Sequence, residues 1–389
     1  MPPSPPNVAI VHDWFQSLYG SERVVEQMLA CFPQAKLFSL VDVMPAEARG
    51  FLRDIQVDTS FIQKLPFAKR HFRRYLSLMP LAIEQFDLSG FDLVLSSSHA
   101  FAKGVLTGPR QLHIAYVHAP IRYAWEYQHQ YLCEAGLDRG LMSWLVRWQL
   151  HKIRNWDFRS GAAPDRLIAN SEFIRQRIRK IYRRDADVIH PPVRLQDFTP
   201  VEKKDDYFVA ISRFVPYKRT ELICAAFAQM PDLKLKVIGD GAGMRRVEAA
   251  ANVELLGTLP RADMVSMLAS ARALVFAAEE DFGITVVEAQ AAGTPVIAYG
   301  QGGVLDTVRP LPEPDPTGLF FGDQTVDAIC DAVRRFQACE GMFRPGALVA
   351  NADAFSEERF RKHYRNLVES ALAAHRDPRP AIAGMAASV

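Results

Sequence analysis

The first apolar run, Val8-Ala9-Ile10-Val11, is bounded by His12-Asp13 and predicts a buried strand. Gly20-Ser21-Glu22 then breaks the pattern, and Val24, Val25, Met28 and Leu29 follow at helical spacing. Strand, glycine turn and helix therefore open the chain. Further strands are predicted at 36–40, 93–96, 114–117 and 166–169, with helical patterns between several of them. The second half restarts the scheme. Strands are expected at 207–211, 235–238, 253–256, 273–277 and 295–298, and helices at 220–229, 262–270 and 285–292. A last helix is expected over 356–375. Strands alternating with helices imply parallel sheets, and the restart implies two of them.

Composition sharpens this picture. At 389 residues and 49% hydrophobic, the chain exceeds one ordinary core, which again favours two domains. The Pro-rich and then charged stretch between residues 190 and 206 is the expected boundary. Charged residues at 23% exclude wholesale disorder. No apolar run is long enough to span a bilayer as a helix. The Pro-rich N-terminus lacks the charged and apolar regions of a signal peptide. Five scattered cysteines without a C-x-x-C pair fit a reducing cytoplasm. Residues 1–194 hold 25 Lys and Arg against 18 Asp and Glu, a net +7, and the remainder is net −5. One half is therefore expected to face anions.

Ligands of open parallel sheets bind beyond the carboxyl ends of the strands, and three segments there can carry chemistry. In Glu280-Asp281-Phe282-Gly283-Ile284-Thr285, a loop turns at Gly283 into a helix that carries Glu288 on its second turn. Free N–H groups at a helix start hold phosphate or sugar oxygens, and two carboxylates there can accept from a pair of hydroxyls. The same pattern also fits a solvated acidic loop followed by a Glu that favours the helix dipole. Arg213 and Lys218 follow a strand end, where a planar fork and a compact charge can neutralise a diphosphate, or simply stand exposed. Gly239-Asp240-Gly241-Ala242-Gly243 resembles a dinucleotide loop, but no acidic residue follows at a strand end about twenty positions on.

Together these segments resemble retaining glycosyltransferases of family 4, the group 1 glycosyl transferases with the GT-B fold. Glu280 to Glu288 is similar to their E-x7-E element. Arg213 with Lys218, the run Val237 to Gly241, and Glu288-Ala289-x-Ala291-x-Gly293-Thr294-Pro295 stand in the same order. In the first half, Gly20-Ser21-Glu22 stands where members commonly have Gly-Gly-x-Glu. The stretch from His118 to Glu126 (His118-Ala119-Pro120-Ile121-Arg122-Tyr123-Ala124-Trp125-Glu126) is similar to that of bacterial mannosyltransferases that build O-antigens and exopolysaccharides. The resemblance implies an α/β GT-B fold, two Rossmann-like doubly wound domains facing a central cleft. Residues 1–198 would be the acceptor-side domain and 199–355 the nucleotide-sugar domain. Residues 356–376 would be a helix returning to the first domain, and 377–389 a loose tail.

The resemblance also implies roles. Glu288 would hold the donor ribose and Glu280 the donor sugar hydroxyls. Gly20, Gly239 and the backbone of Phe282, Gly283, Ile284 and Thr285 would hold sugar or phosphate. Arg213 and Lys218 would stabilise the departing diphosphate. His118 would stand near donor sugar and acceptor, with Arg122 and Tyr123 on the acceptor side. No cofactor and no metal are expected, and Asp185-Ala186-Asp187 reads as a solvated turn. The implied donor is a nucleotide-sugar, first of all GDP-mannose, and the implied acceptor a lipid-linked saccharide. The basic, aromatic stretch 64–76 and the tryptophans Trp144, Trp148 and Trp156 suggest an anionic membrane surface as partner. A cytoplasmic enzyme, peripheral at the inner face of the plasma membrane, is the expectation. Rival readings are a UDP-sugar transferase, a nucleotide-sugar epimerase, and a non-catalytic assembly scaffold. No motif supports nucleic-acid binding.

Overall fold

Strands buried on both faces read as largely apolar runs, and the inner strands of both sheets are of this kind, while the edge strands Val57–Thr59, Asp187–Val188 and Val253–Gly257 are partly exposed. A computed structural model describes residues 5–376 apart from Tyr19, Arg53, Asp54, Ala242, Arg245, Arg246, Glu248 and Ala249. The expected tail at 377–389 and Ala242 of the glycine-rich loop lie outside the described residues. The first sheet comprises β1 (Val8–Phe15), β2 (Lys36–Asp42), β3 (Val57–Thr59), β4 (Leu93–Ser98), β5 (Leu112–Val117), β6 (Arg166–Ala169) and β7 (Asp187–Val188). Its order is β3-β2-β1-β4-β5-β6-β7. The second comprises β8 (Phe208–Ile211), β9 (Leu235–Ile238), β10 (Val253–Gly257), β11 (Leu274–Phe276), β12 (Val296–Tyr299) and β13 (Gly318–Phe321). Its order is β10-β9-β8-β11-β12-β13. All pairings are parallel, and in each sheet the order reverses beside its first strand, so both sheets are doubly wound.

Alternation along each strand divides the core between two faces. In β1, Val8 and Ile10 pack with Val24 and Met28 of the helix Gly20–Cys31. Ala9 and Val11 pack on the other face with Ile153 and Trp156 of the helix Gly140–Gly161. In the second sheet, Val209 and Phe276 join Val286 of the helix Ile284–Ala291. Phe208 and Val275 face Phe227 of the helix Thr220–Ala228, and Ile329, Val333 and Phe336 of the helix Val326–Cys339.

The chain divides into two compact units: residues 1–169, 175–189 and 360 onward, and residues 170–174 with 190–359. The seam falls after Ile189, not after residue 198. His190 stacks near Phe282 and Phe355, with ring centres 5.6 and 5.2 Å away, and the Val193 N–H donates to Phe355 O at 2.9 Å. These contacts tie 190–198 into the second core. The helix Glu357–Arg376 buries Phe360, Tyr364, Val368 and Ala371 in the first unit's core, where Phe360 and Tyr364 stack at 5.4 Å.

Candidate active site

In the second unit the strand order reverses between β8 and β11, and the carboxyl ends of these two strands launch the residues of interest. After β8 come Arg213, exposed, and Lys218 at the end of a short turn (Pro216–Lys218). After β11 comes Glu280. The Lys218 ammonium and the Glu280 carboxylate are in direct contact, each side chain about one-sixth exposed (17% and 16%). Two expected site residues are thus joined at the switch point, where ligands of such sheets bind.

Glu280 is fixed from behind. Its carbonyl accepts from the Gly303 N–H at 2.8 Å, and it forms an isolated bridge with Gly302. A Cβ on Gly303 would come within 2.4 Å of Asp281 O and Phe282 Cα, so only glycine lets this backbone lie against 280–282. Phe282 is buried against His190 and Phe355. Only its backbone is therefore placed to meet a ligand. Gly283, at φ +86°, turns the chain into the helix Ile284–Ala291. The first N–H groups of that helix, from Ile284 and Thr285, point out of its start. Gly239 serves the same region by packing. At φ +132° its missing Cβ would lie 2.0 Å from Ser212 O, and the Phe214 N–H donates to Asp240 O at 2.8 Å. The glycine loop thus braces the segment that carries Arg213.

Glu288 pairs with a residue outside the expected set. Its Oε1 accepts from Arg261 Nη2 at 2.8 Å, and its side chain is 13% exposed. Arg261 stands over the Phe198 ring at 5.1 Å, with Asp197 3.7 Å away. Sequence reasoning missed Arg261, which lies in another helix (Arg261–Ser270) 27 positions away.

The first unit gathers a second cluster where its own strand order reverses, between β1 and β4. β1 does not stop at Val11 but runs to Phe15, carrying His12 and Asp13 fully buried. The Asp13 carboxylate repays its burial by accepting four backbone N–H groups beyond β4. His99 and Ala100 donate to Oδ2 at 2.6 and 2.9 Å, and Phe101 and Ala102 to Oδ1 at 2.5 and 2.8 Å. His99 Nδ1 stands 3.2 Å from Oδ2. Burial alone would push the Asp13 carboxyl up, but the His99 and His12 rings and these amides hold it below the usual carboxylate range.

His118, just beyond β5, shares a hydrogen bond with Ser97 Oγ through Nε2 at 2.8 Å. His12 Nδ1 reaches Ser97 O at 3.1 Å. Burial, then the neighbouring His99 and His12, push the His118 pKa well down, so its ring is neutral at neutral pH. Gly20 starts the helix after β1, with Ser21 Oγ donating to Glu22 Oε2 at 2.9 Å.

Arg122 and Tyr123 lie on a short turn that Trp125 anchors. The Trp125 indole donates to Asp157 Oδ2 at 2.7 Å, and Asp157 forms a fully buried ion pair with Lys103 at 2.5 Å. Burial pushes the Tyr123 phenol up, and its hydroxyl has no hydrogen-bond partner among the described residues.

One expectation needs correction. Trp156 is no surface anchor: it is 9% exposed, packs 5.3 Å from Phe101, and donates to Glu84 at 2.7 Å. Arg73 is exposed, donating to Gln16 at 2.8 Å and lying over the Phe72 ring at 4.8 Å. Lys69, Arg70 and Arg74 are exposed, beside Phe67 at 80%. Asp185 accepts two bonds from Arg179, at 2.9 and 3.0 Å. Among the described residues no group of three or more His, Cys, Asp or Glu gathers that could hold a metal ion. No helix among them is long and apolar enough to cross a membrane.

Residues 194–351 match the model for glycosyl transferases group 1, and residues 18–197 the model for Glycosyltransferase Family 4. The D-inositol 3-phosphate glycosyltransferase of Mycobacterium marinum is 27% identical over 331 residues, covering 71% of this chain and 67% of that protein. Among solved structures, the sucrose-phosphate synthase of Thermosynechococcus elongatus has a TM-score of 0.68 at 16% identity, covering 95% of this chain and all of that one. Anabaena HepE in complex with UDP has a TM-score of 0.66 at 14% identity, covering 94% of this chain and 100% of that one.

Proposed function

Because the chain is a glycosyltransferase of the GT-B type, group 1 and family 4, we propose that it moves a sugar, with retention of configuration, from a nucleotide-sugar to a saccharide carried on a lipid. GDP-mannose is the proposed donor, on the strength of the stretch from His118 to Glu126. The observation that carries the reading is the contact between Lys218 and Glu280 where β8 and β11 part, beside the start of the helix Ile284–Ala291.

Each group then has work suited to its chemistry. The bond from the anomeric carbon to the diphosphate breaks, and the acceptor oxygen bonds to that carbon. The acceptor proton passes to the departing diphosphate, so no carboxylate behind the sugar is needed. Arg213 and Lys218 meet the negative charge that builds on the leaving oxygens, with the helix-start N–H groups. Glu280 holds Lys218 in place and accepts from sugar hydroxyls. Glu288, oriented by Arg261, accepts from the ribose hydroxyl pair. His118, uncharged, is assigned hydrogen bonds to sugar hydroxyls, and Arg122 and Tyr123 contacts to the acceptor. The enzyme is proposed to work peripherally at the inner face of the plasma membrane.

A UDP-sugar reading has one observation in its favour, the UDP held by Anabaena HepE. Thermal-shift titration with GDP, UDP and ADP separates the two. A rise in midpoint with GDP above that with UDP supports the GDP-sugar reading. The reverse order replaces the donor, and no rise with any of the three removes the nucleotide site.

A further inference from the structure

The helix Gly140–Gly161 changes character along its length. Its second half buries Leu150, Ile153, Trp156, Asp157 and Ser160 in the first unit's core. Its first half does the opposite. Leu141 is 90% exposed, Trp144 77%, Leu145 58% and Trp148 56%. These four sit at positions i, i+3, i+4 and i+7, so they form one continuous stripe. A groove of about 640 Å³ lies along it, lined by Arg139, Ser143, Trp144, Arg147 and Trp148 among others. Soluble surfaces rarely gather large apolar side chains in this way.

We propose that this stripe is the membrane-contact surface of the protein, entering the interfacial layer of an anionic bilayer. It deepens the lipid-linked acceptor reading and rests on it for its purpose. The charges around the stripe select the occupant. Arg139 is exposed beside it, Arg147 lines its groove, and the Lys152 ammonium stands 3.9 Å over the Trp148 ring, against one acidic residue in the groove, Asp138, 3.5 Å from Arg139. Along the whole helix Asp157 is the one acidic residue, and it is buried. A second copy docking through this stripe would bring like charges together. An anionic lipid surface meets them with opposite charge, takes up leucine and accommodates tryptophan at its polar boundary. Arginine and lysine then neutralise head-group phosphates while the stripe enters below them. Apolar insertion at residues 141–148 is thus assigned the main part of the contact, and the basic segment around Lys69 and Arg70 a supporting one.

The test uses the full chain with vesicles of phosphatidylglycerol and phosphatidylcholine in equal parts, made with bromine-labelled acyl chains that quench nearby tryptophan. The variant Leu141→Gln/Leu145→Gln keeps both surface tryptophans, and both positions are exposed, so the fold is retained. Its unfolding midpoint checks this. The wild type should co-sediment and lose tryptophan emission. The double variant should bind about tenfold more weakly or worse and lose the quenching, as expected when two leucines no longer enter the bilayer. Donor hydrolysis without acceptor should be the same in both proteins. The inference is overturned if the wild type is not quenched, or if the double variant binds and is quenched like the wild type. It is also overturned if the wild type is a dimer that the substitutions dissociate, without binding vesicles. Absence of donor hydrolysis from the wild type would instead count against the proposed function and leave the surface standing.

Discussion

Replacing Asp13 by Asn tests whether one buried carboxylate organises the first unit's cluster. Asp13 accepts four backbone N–H groups, two on each oxygen, at 2.5 to 2.9 Å. The Asn oxygen can keep the pair from Phe101 and Ala102, now without charge assistance. Its NH2 group then confronts the donors of His99 and Ala100, which are left without an acceptor. Two bonds to a charged group are worth about 1.5–3 kcal/mol each, so the loss should be about 3–6 kcal/mol. That is a large part of the roughly 5–15 kcal/mol that holds a typical protein folded.

The assay is urea unfolding followed by tryptophan emission. All five tryptophans (Trp14, Trp125, Trp144, Trp148 and Trp156) lie in the first unit, so the signal reports that unit alone. The sign of the pH dependence follows from the depressed pKa of Asp13. Its contribution is present above the unfolded carboxylate value of about 3.9 and is lost as pH falls through the lower folded value. The difference between wild type and variant should therefore narrow in acid. A loss below about 1 kcal/mol at neutral pH, or a difference independent of pH, would refute the reasoning.

Three further outcomes are expected in the second unit. Glu288→Ala should raise the donor KM more than it lowers kcat, because a ribose contact is present in ground and transition states alike; unchanged donor affinity by calorimetry would remove the ribose assignment. Lys218→Ala should lower kcat by about two orders of magnitude, the scale of one lost transition-state donor. Its effect should combine non-additively with Arg213→Ala if both serve one diphosphate, and wild-type turnover would end that role. Activity should persist in EDTA, since Arg213, Lys218 and a helix start supply the positive potential; loss restored by Mg²⁺ or Mn²⁺ would reopen the question of a metal.

What could be read in the sequence was local. The helix expected at 285–292 is Ile284–Ala291, and 235–238 is β9 as written, because apolar periodicity and glycine punctuation are properties of neighbours along the chain. The spacing of Glu280 and Glu288 likewise placed one on a loop and the other on the following helix. The partners of these residues were not legible. Arg261 lies 27 positions from Glu288, and nothing in its own helix marks it. Gly302 and Gly303 show their purpose only when the backbone of 280–282 lies against them. Asp13 misled most, since a charged residue after an apolar run ordinarily ends a strand. Here four amides from another strand's end satisfy it, 86 to 89 positions away, and the strand runs on. The tryptophans of the helix Gly140–Gly161 were legible as composition, but Leu141 and Leu145 were not, and only the fold separates exposed Trp144 and Trp148 from buried Trp156.

Sugar transfer is measured most directly as turnover of GDP-mannose by the purified chain, with and without lipid-linked saccharide, following the anomeric signal of the product by NMR. GDP release that acceptor accelerates is expected, with transfer that keeps the α configuration of the donor, and loss of both in Lys218→Ala. Inverted product would contradict retention, and absence of any turnover with GDP- or UDP-sugars would contradict the assignment of Arg213, Lys218, Glu280 and Glu288 to a nucleotide-sugar.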